Sequence, residues 1–98
     1  MLSKFRVYLE SVRFYHLCKL LSLPPDQKDQ LLRAASSVGR NVGEGYGRVS
    51  HRDKRRFYRI SLGSLRECTT VFDQEDVQDP RLRDIADFLG GALYKLTR

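Results

Sequence analysis

The stretch from Ala34 to Arg66 constrains this chain more than any other. It reads as the end of one helix, a turn marked by Gly43, Gly45 and Gly47, and the start of a second helix dense in arginine. Glycines just past an apolar helical stripe supply positions for positive φ, where helices commonly close. Ser50 follows, with Asp53 three residues on, a capping-box start for the next helix. A chain that folds back through such a turn, with helical periodicity on both sides, is directed toward helix packed on helix.

The flanking segments carry the same signal. From Lys4 to about Ser22, the residues Phe5, Tyr8, Leu9, Val12, Tyr15 and Leu20 recur at helical spacing with no Gly or Pro between them. Val7, Phe14, Leu17, Cys18 and Leu21 occupy the other sides. A surface helix of a lone bundle needs one apolar stripe, so the second face of this helix is expected to be buried against another subunit. Leu23-Pro24-Pro25 ends it, because the residue before proline is pushed out of the helical region and proline has no amide hydrogen.

The same prolines suit the first turn of the second helix, where Asp26 and Asp29 face the positive end of its dipole. Leu31, Leu32, Ala35, Val38 and Val42 form its apolar stripe, and it is expected to end near Gly43 or Glu44. In the third helix Phe57, Ile60, Ser64, Cys68, Val71 and Phe72 trace the expected buried side. Ser61, Gly63 and Ser64 would let a neighbouring helix approach closely, a packing reason for keeping Gly63 against a propensity cost of about 1 kcal/mol. Asp79-Pro80 opens the fourth helix as N-cap and first helical residue, followed by a seam of Leu82, Ile85, Leu89, Ala92 or Leu93, and Leu96, with Gly90-Gly91 weakening its middle. The expected fold is all-α, a single domain over residues 1–98, arranged as an antiparallel up-down four-helix bundle.

Charge narrows the function. The net charge is +6, unevenly spread: residues 1–66 hold fourteen Lys or Arg against five Asp or Glu, whereas residues 67–98 hold four against seven. Such asymmetry in one small domain suits a polyanionic partner or charge pairing between subunits. The basic excess peaks in Arg48, Arg52, Lys54, Arg55, Arg56, Arg59 and Arg66, with Asp53 as the one acid inside the cluster. Arg52, Arg55 or Arg56, Arg59 and Arg66 fall near one helical face. Phosphates would relieve their mutual repulsion, which makes these seven residues the candidate nucleic-acid site. A solvated face or salt bridges between subunits are the competing readings. Tyr46 and Tyr58 are candidates for stacking on unpaired bases, against ordinary packing in the bundle.

Other chemistry finds little support. Gly43-x-Gly45-x-Gly47 follows a helix and lacks the Gly-Lys-Ser/Thr ending of a phosphate loop. His16 with Cys18, and the distant His51 and Cys68, do not form a metal-binding pattern, and no cofactor is expected. No histidine stands near a plausible nucleophile with an acid to orient it, so the chain does not read as an enzyme. Asn41, Glu44, Ser64 and Glu67 read as structural polar groups between the second and third helices, with Glu44 placed to pair with Arg40 or Arg48. Two cysteines allow at most one disulfide and fit reduced thiols. No apolar run approaches the ~20 residues that span a membrane, and the expected location is cytoplasmic.

The residues Arg33-Ala34-Ala35, Ser37-Val38, Asn41-Val42, Glu44-Gly45-Tyr46-Gly47-Arg48, Phe57 and Gly63-Ser64-Leu65-Arg66-Glu67 resemble a bacterial family of four-helix bundle proteins, the intervening-sequence 23S ribosomal RNA proteins. The resemblance runs over about residues 5–75. It implies a ring-shaped homopentamer with an RNA or other nucleic-acid connection and no enzymatic activity. The family is also related to accessory proteins of diversity-generating retroelements, which bind a reverse transcriptase and nucleic acid. A protein-protein scaffold, for example a reverse-transcriptase partner, is therefore the alternative role. Gly43 stands where the family usually has Ala, which is expected to loosen the end of the second helix.

Overall fold

The computed structural model describes residues 4–98. Four α-helices make up nearly all of it: α1 (Lys4–Lys19), α2 (Pro25–Gly47), α3 (His51–Gln74) and α4 (Pro80–Leu96). No strand occurs among the described residues. Each helix packs on its neighbours in the chain and α4 returns to α1, so α1 and α3 face each other diagonally. Phe14 of α1 and Phe72 of α3 meet across that diagonal edge to face, with ring centroids 6.0 Å apart. Along α2, Ser37, Val38 and Gly45 meet Ser64, Ser61 and Tyr58 of α3, in reverse chain order. Arg59 with Thr97, Leu65 with Gly90 and Asp73 with Arg83 repeat that reversal across α3 and α4.

The helix ends follow local chemistry. Ser50 Oγ accepts from the Asp53 amide at 3.1 Å, and Asp79 Oδ1 accepts from the Arg81 amide at 2.9 Å, so both expected N-caps are made. α1 stops at Lys19, short of Ser22. The Leu20 and Leu21 amides reach back only three residues, and the Lys28 ammonium donates to the carbonyls of Lys19 and Leu21. α3 closes with Asp76 in the left-handed region, at φ 54°. The Val77 amide reaches the Phe72 carbonyl and the Asp76 amide the Asp73 carbonyl, a Schellman closure with aspartate where glycine is usual.

Three expectations change. α2 does not end at Gly43 or Glu44 but runs through Gly47, and no glycine has positive φ among the described residues. Gly43 therefore does not loosen the helix, and a Cβ there would make ordinary contact with Tyr8 at 3.4 Å. The buried side of α3 departs from the expected stripe in its first half only, since Ser64, Cys68, Val71 and Phe72 are buried as expected. Tyr58, Ser61 and Leu65 are buried, whereas Ile60 is exposed and Phe57 only half-buried. The ring of Tyr58 lies over Gly45, and two guanidinium groups cover Phe57 from the solvent side. Gly63 has no neighbour within 4 Å of a Cβ, so nothing in the described chain packs against it.

α1 shows the same effect. Its core face is Val7, Ser11, Phe14 and Cys18, and Ser11 brings α1 close to Gly39 of α2. Phe5, Tyr8, Leu9 and Leu20 of the more obvious stripe are exposed, Leu9 by 51% and Leu20 by 77%. Both faces are apolar, so periodicity alone could not choose between them.

Candidate nucleic-acid interface

On the outer side of α3, Arg52, Arg56, Arg59, Gly63 and Arg66 follow one another at spacings of four, three, four and three, which keeps them on one face. The four arginines are exposed, and none forms an ion pair among the described residues. Two are nevertheless held in place. The Arg56 guanidinium lies 4.5 Å from the Phe57 ring centroid, and Arg59 donates to the Thr97 carbonyl at the end of α4 at 3.3 Å. Stacking on an aromatic ring leaves the edge of a guanidinium free to donate, the geometry that suits bidentate phosphate contacts.

The remaining members of the cluster are placed differently. Arg48 pairs with Glu44 at 3.2 Å and also lies over Phe57, at 4.7 Å. The Lys54 ammonium donates to the Tyr46 and Gly45 carbonyls at 3.1 and 3.4 Å, closing the C-terminus of α2 where a cation is favoured by the helix dipole. Arg55 is half-buried, and its Nε has no hydrogen-bond partner among the described residues. The seven cationic residues thus separate into an open stripe of four, two with local duties and one on the flank.

Of the two candidate stacking residues, Tyr46 is exposed by 53%, but Tyr58 is 1% exposed and unable to meet a base. Burial, with a smaller contribution from Tyr46, holds the Tyr58 phenol above its ordinary pKa, so it stays neutral. Tyr94 of α4 and Arg98, just past the end of that helix, stand out only in three dimensions. The Arg59 to Thr97 hydrogen bond brings the end of α4 beside the stripe, where Tyr94 is exposed with the Arg98 guanidinium 5.5 Å from its ring centroid. Their distance from the arginine run in sequence hid them.

The polar motif residues also divide. Ser37 and Ser64 hydroxyls are 2.7 Å apart, Asn41 donates to the Ser37 carbonyl at 2.8 Å, and Ser61 donates to the Val38 carbonyl at 2.8 Å. These groups satisfy one another between α2 and α3. Glu67 is outside that thread, exposed near Asp26, Gln30 and Arg33. Both thiols are buried; burial pushes Cys18 up to about 12 and raises Cys68 as well, which removes the thiolate character a nucleophile needs. Among the described residues no three His, Cys, Asp or Glu side chains are grouped to hold a metal ion, and no helix is long and apolar enough to cross a membrane. A family model described as 23S rRNA-intervening sequence protein matches residues 5–75. No curated protein and no solved structure matches the chain.

Proposed function

Because the chain belongs to the 23S rRNA-intervening sequence protein family, we propose that it is a non-enzymatic RNA-binding protein that works as a homo-oligomer, with the outer face of α3 as its RNA contact. The observation that carries this reading is the stripe of Arg52, Arg56, Arg59 and Arg66, exposed and without a carboxylate partner among the described residues. Four like charges along one helix face repel one another, and an RNA backbone removes that cost while releasing its counterions. The family description, which names a ribosomal RNA insert, fits a polyanionic partner of this kind.

Self-association is supported by the outer face of α1 and the residue just past its end, where Phe5, Leu9 and Leu20 are each at least half exposed. Apolar surface gathered on one helix face is what a subunit contact covers. Five copies are what the family resemblance implies, and repeating the arginine stripe around a ring adds avidity to weak individual contacts. The same face is the one observation favouring the second reading, a scaffold that docks another protein such as a reverse transcriptase.

Native mass and bound nucleic acid, measured together by light scattering with absorbance at 260 and 280 nm, test the proposal. The expected result is an oligomer that carries RNA at moderate salt and releases it at high salt. Changing Arg52, Arg56 and Arg59 together to Ala should keep the oligomer and lower the slope of log affinity against log salt by about 0.7 to 0.9 per lost phosphate contact. An unchanged slope would remove the stripe from consideration. A clean oligomer that never binds RNA would favour the scaffold, and a monomer would refute self-association.

A further inference from the structure

We propose that the groove between α3 and α4 is a seat for one unpaired base of a single-stranded RNA, with guanine the base that fits it. The inference rests on the RNA-binding reading above and adds a site that the arginine stripe does not contain. The groove has a volume of about 310 Å³, at the small end of ligand sites, and so suits a fragment the size of a base. Leu62, Arg66 and Thr69 of α3 line one wall, and Asp87, Gly90 and Tyr94 of α4 the other.

These walls set what can bind. Gly90 leaves the α4 wall of the groove without a side chain, and the nearest side-chain neighbour of an added Cβ would be Leu65, at 3.8 Å. A flat ring can therefore enter between Arg66 and the α4 backbone. Tyr94 supplies the stacking surface, being 56% exposed, and Arg98, which packs on that ring, is not among the groove walls. Base on aromatic stacking of this kind tolerates any base. Asp87 adds selectivity.

Asp87 is an exposed carboxylate in a groove that Arg66 also lines, with no ion-pair partner among the described residues. It repels a phosphate, so the RNA backbone stays on the Arg59 and Arg66 rim while the base turns inward. A carboxylate accepts hydrogen bonds only. Guanine is the base whose Watson–Crick edge offers two adjacent N–H donors, from N1 and N2, matching the two carboxylate oxygens. The volume of about 310 Å³ has room for a single base.

The test uses the full chain and three labelled probes read by fluorescence anisotropy: a uridine decamer with one central guanosine, an all-uridine decamer, and a duplex of equal length. The wild type should prefer the guanosine probe over all-uridine. Tyr94→Ala should weaken that probe's binding about tenfold without weakening the duplex, and Tyr94→Phe should restore it. Asp87→Asn should abolish the preference between the two single strands, a ratio that a general change of charge does not move. Gly90→Leu, which fills the groove and leaves Tyr94 in place, should act like Tyr94→Ala, with thermal melting confirming that each variant is folded.

Equal wild-type affinity for the two single strands would overturn the guanine seat. So would unchanged binding in folded Tyr94→Ala or an intact preference in Asp87→Asn. If those variants bind normally while the Arg52, Arg56 and Arg59 triple variant does not, the RNA-binding reading stands and the groove falls. Absence of salt-sensitive binding to any probe would end both.

Discussion

Helix α3 has two unlike flanks. Toward α2, the glycine at position 45 is filled: a Cβ there would sit 2.6 Å from Cε1 of Tyr58, and serine hydroxyls bridge the two backbones above it. Toward α4, the glycine at position 90 faces a groove, and a Cβ would meet only Leu65, at ordinary contact distance. The same residue type thus brings helices together on one side and leaves room on the other. What decides is the residue across from it: the rigid ring of Tyr58 over Gly45, but only the tip of the Leu65 side chain, 3.8 Å from an added Cβ, at Gly90.

Substitutions that exchange the character of the two flanks test this contrast, and Gly45→Ala should have the largest effect. The Tyr58 ring is too buried to swing aside, so the added methyl should cost about 2 kcal/mol, after the helix-propensity gain of about 1 kcal/mol from alanine is counted. Thermal melting should show a fall of roughly 4–8 °C per kcal/mol. A melting point at or above the wild-type value would mean that the α2 flank is no tighter than the α4 flank.

Tyr58→Phe should move stability the other way. The Tyr58 hydroxyl is buried with no partner among the described residues, and removing it should stabilise the chain by about 1 kcal/mol. The difference should widen in alkali. Because the folded-state pKa is raised, the unfolded phenol loses its proton first as pH climbs past about 10, the usual tyrosine value, and wild-type stability falls there. Urea titrations of both proteins at neutral and alkaline pH should diverge; parallel curves would show that the hydroxyl finds a partner.

Ser61→Ala, which removes the 2.8 Å hydrogen bond to the Val38 carbonyl, should cost about 1 kcal/mol in the same titrations. The smallest change belongs to the open flank. Gly90→Ala should raise stability by about 0.5 to 1 kcal/mol, because it gains helix propensity with room to spare. A loss instead would mean that the α4 flank is as closely packed as the α2 flank.

Much of this contrast was out of reach of the sequence. Ser61 and Ser64 were legible as residues for close approach, but Gly63 looked like part of the same device and faces outward instead. Glycine carries no side chain to report its direction. Tyr58 looked like a base-stacking candidate beside the arginines, and the packing of the first half of α3 against Gly45 put it inside and Phe57 under Arg48 and Arg56. Within the arginine run, spacing placed Arg52, Arg55 or Arg56, Arg59 and Arg66 on one face and left open which of Arg55 and Arg56 belongs to it. It could not reveal that Lys54 is used to cap α2, since that depends on where the end of α2 lies in space.

By itself, the sequence determined the four helices, the N-caps at Ser50 and Asp79, the break at Pro24-Pro25 and the basic character of α3. All of these depend on neighbours within a few residues, where backbone geometry and helical period are fixed by local chemistry. The tertiary structure decided which of two apolar faces of α1 is buried, that the glycines of α2 stay helical, and that Tyr94 and Arg98 join the basic side. Those choices depend on packing between segments distant in the chain, where the volume left by one helix selects the side chain another can place there.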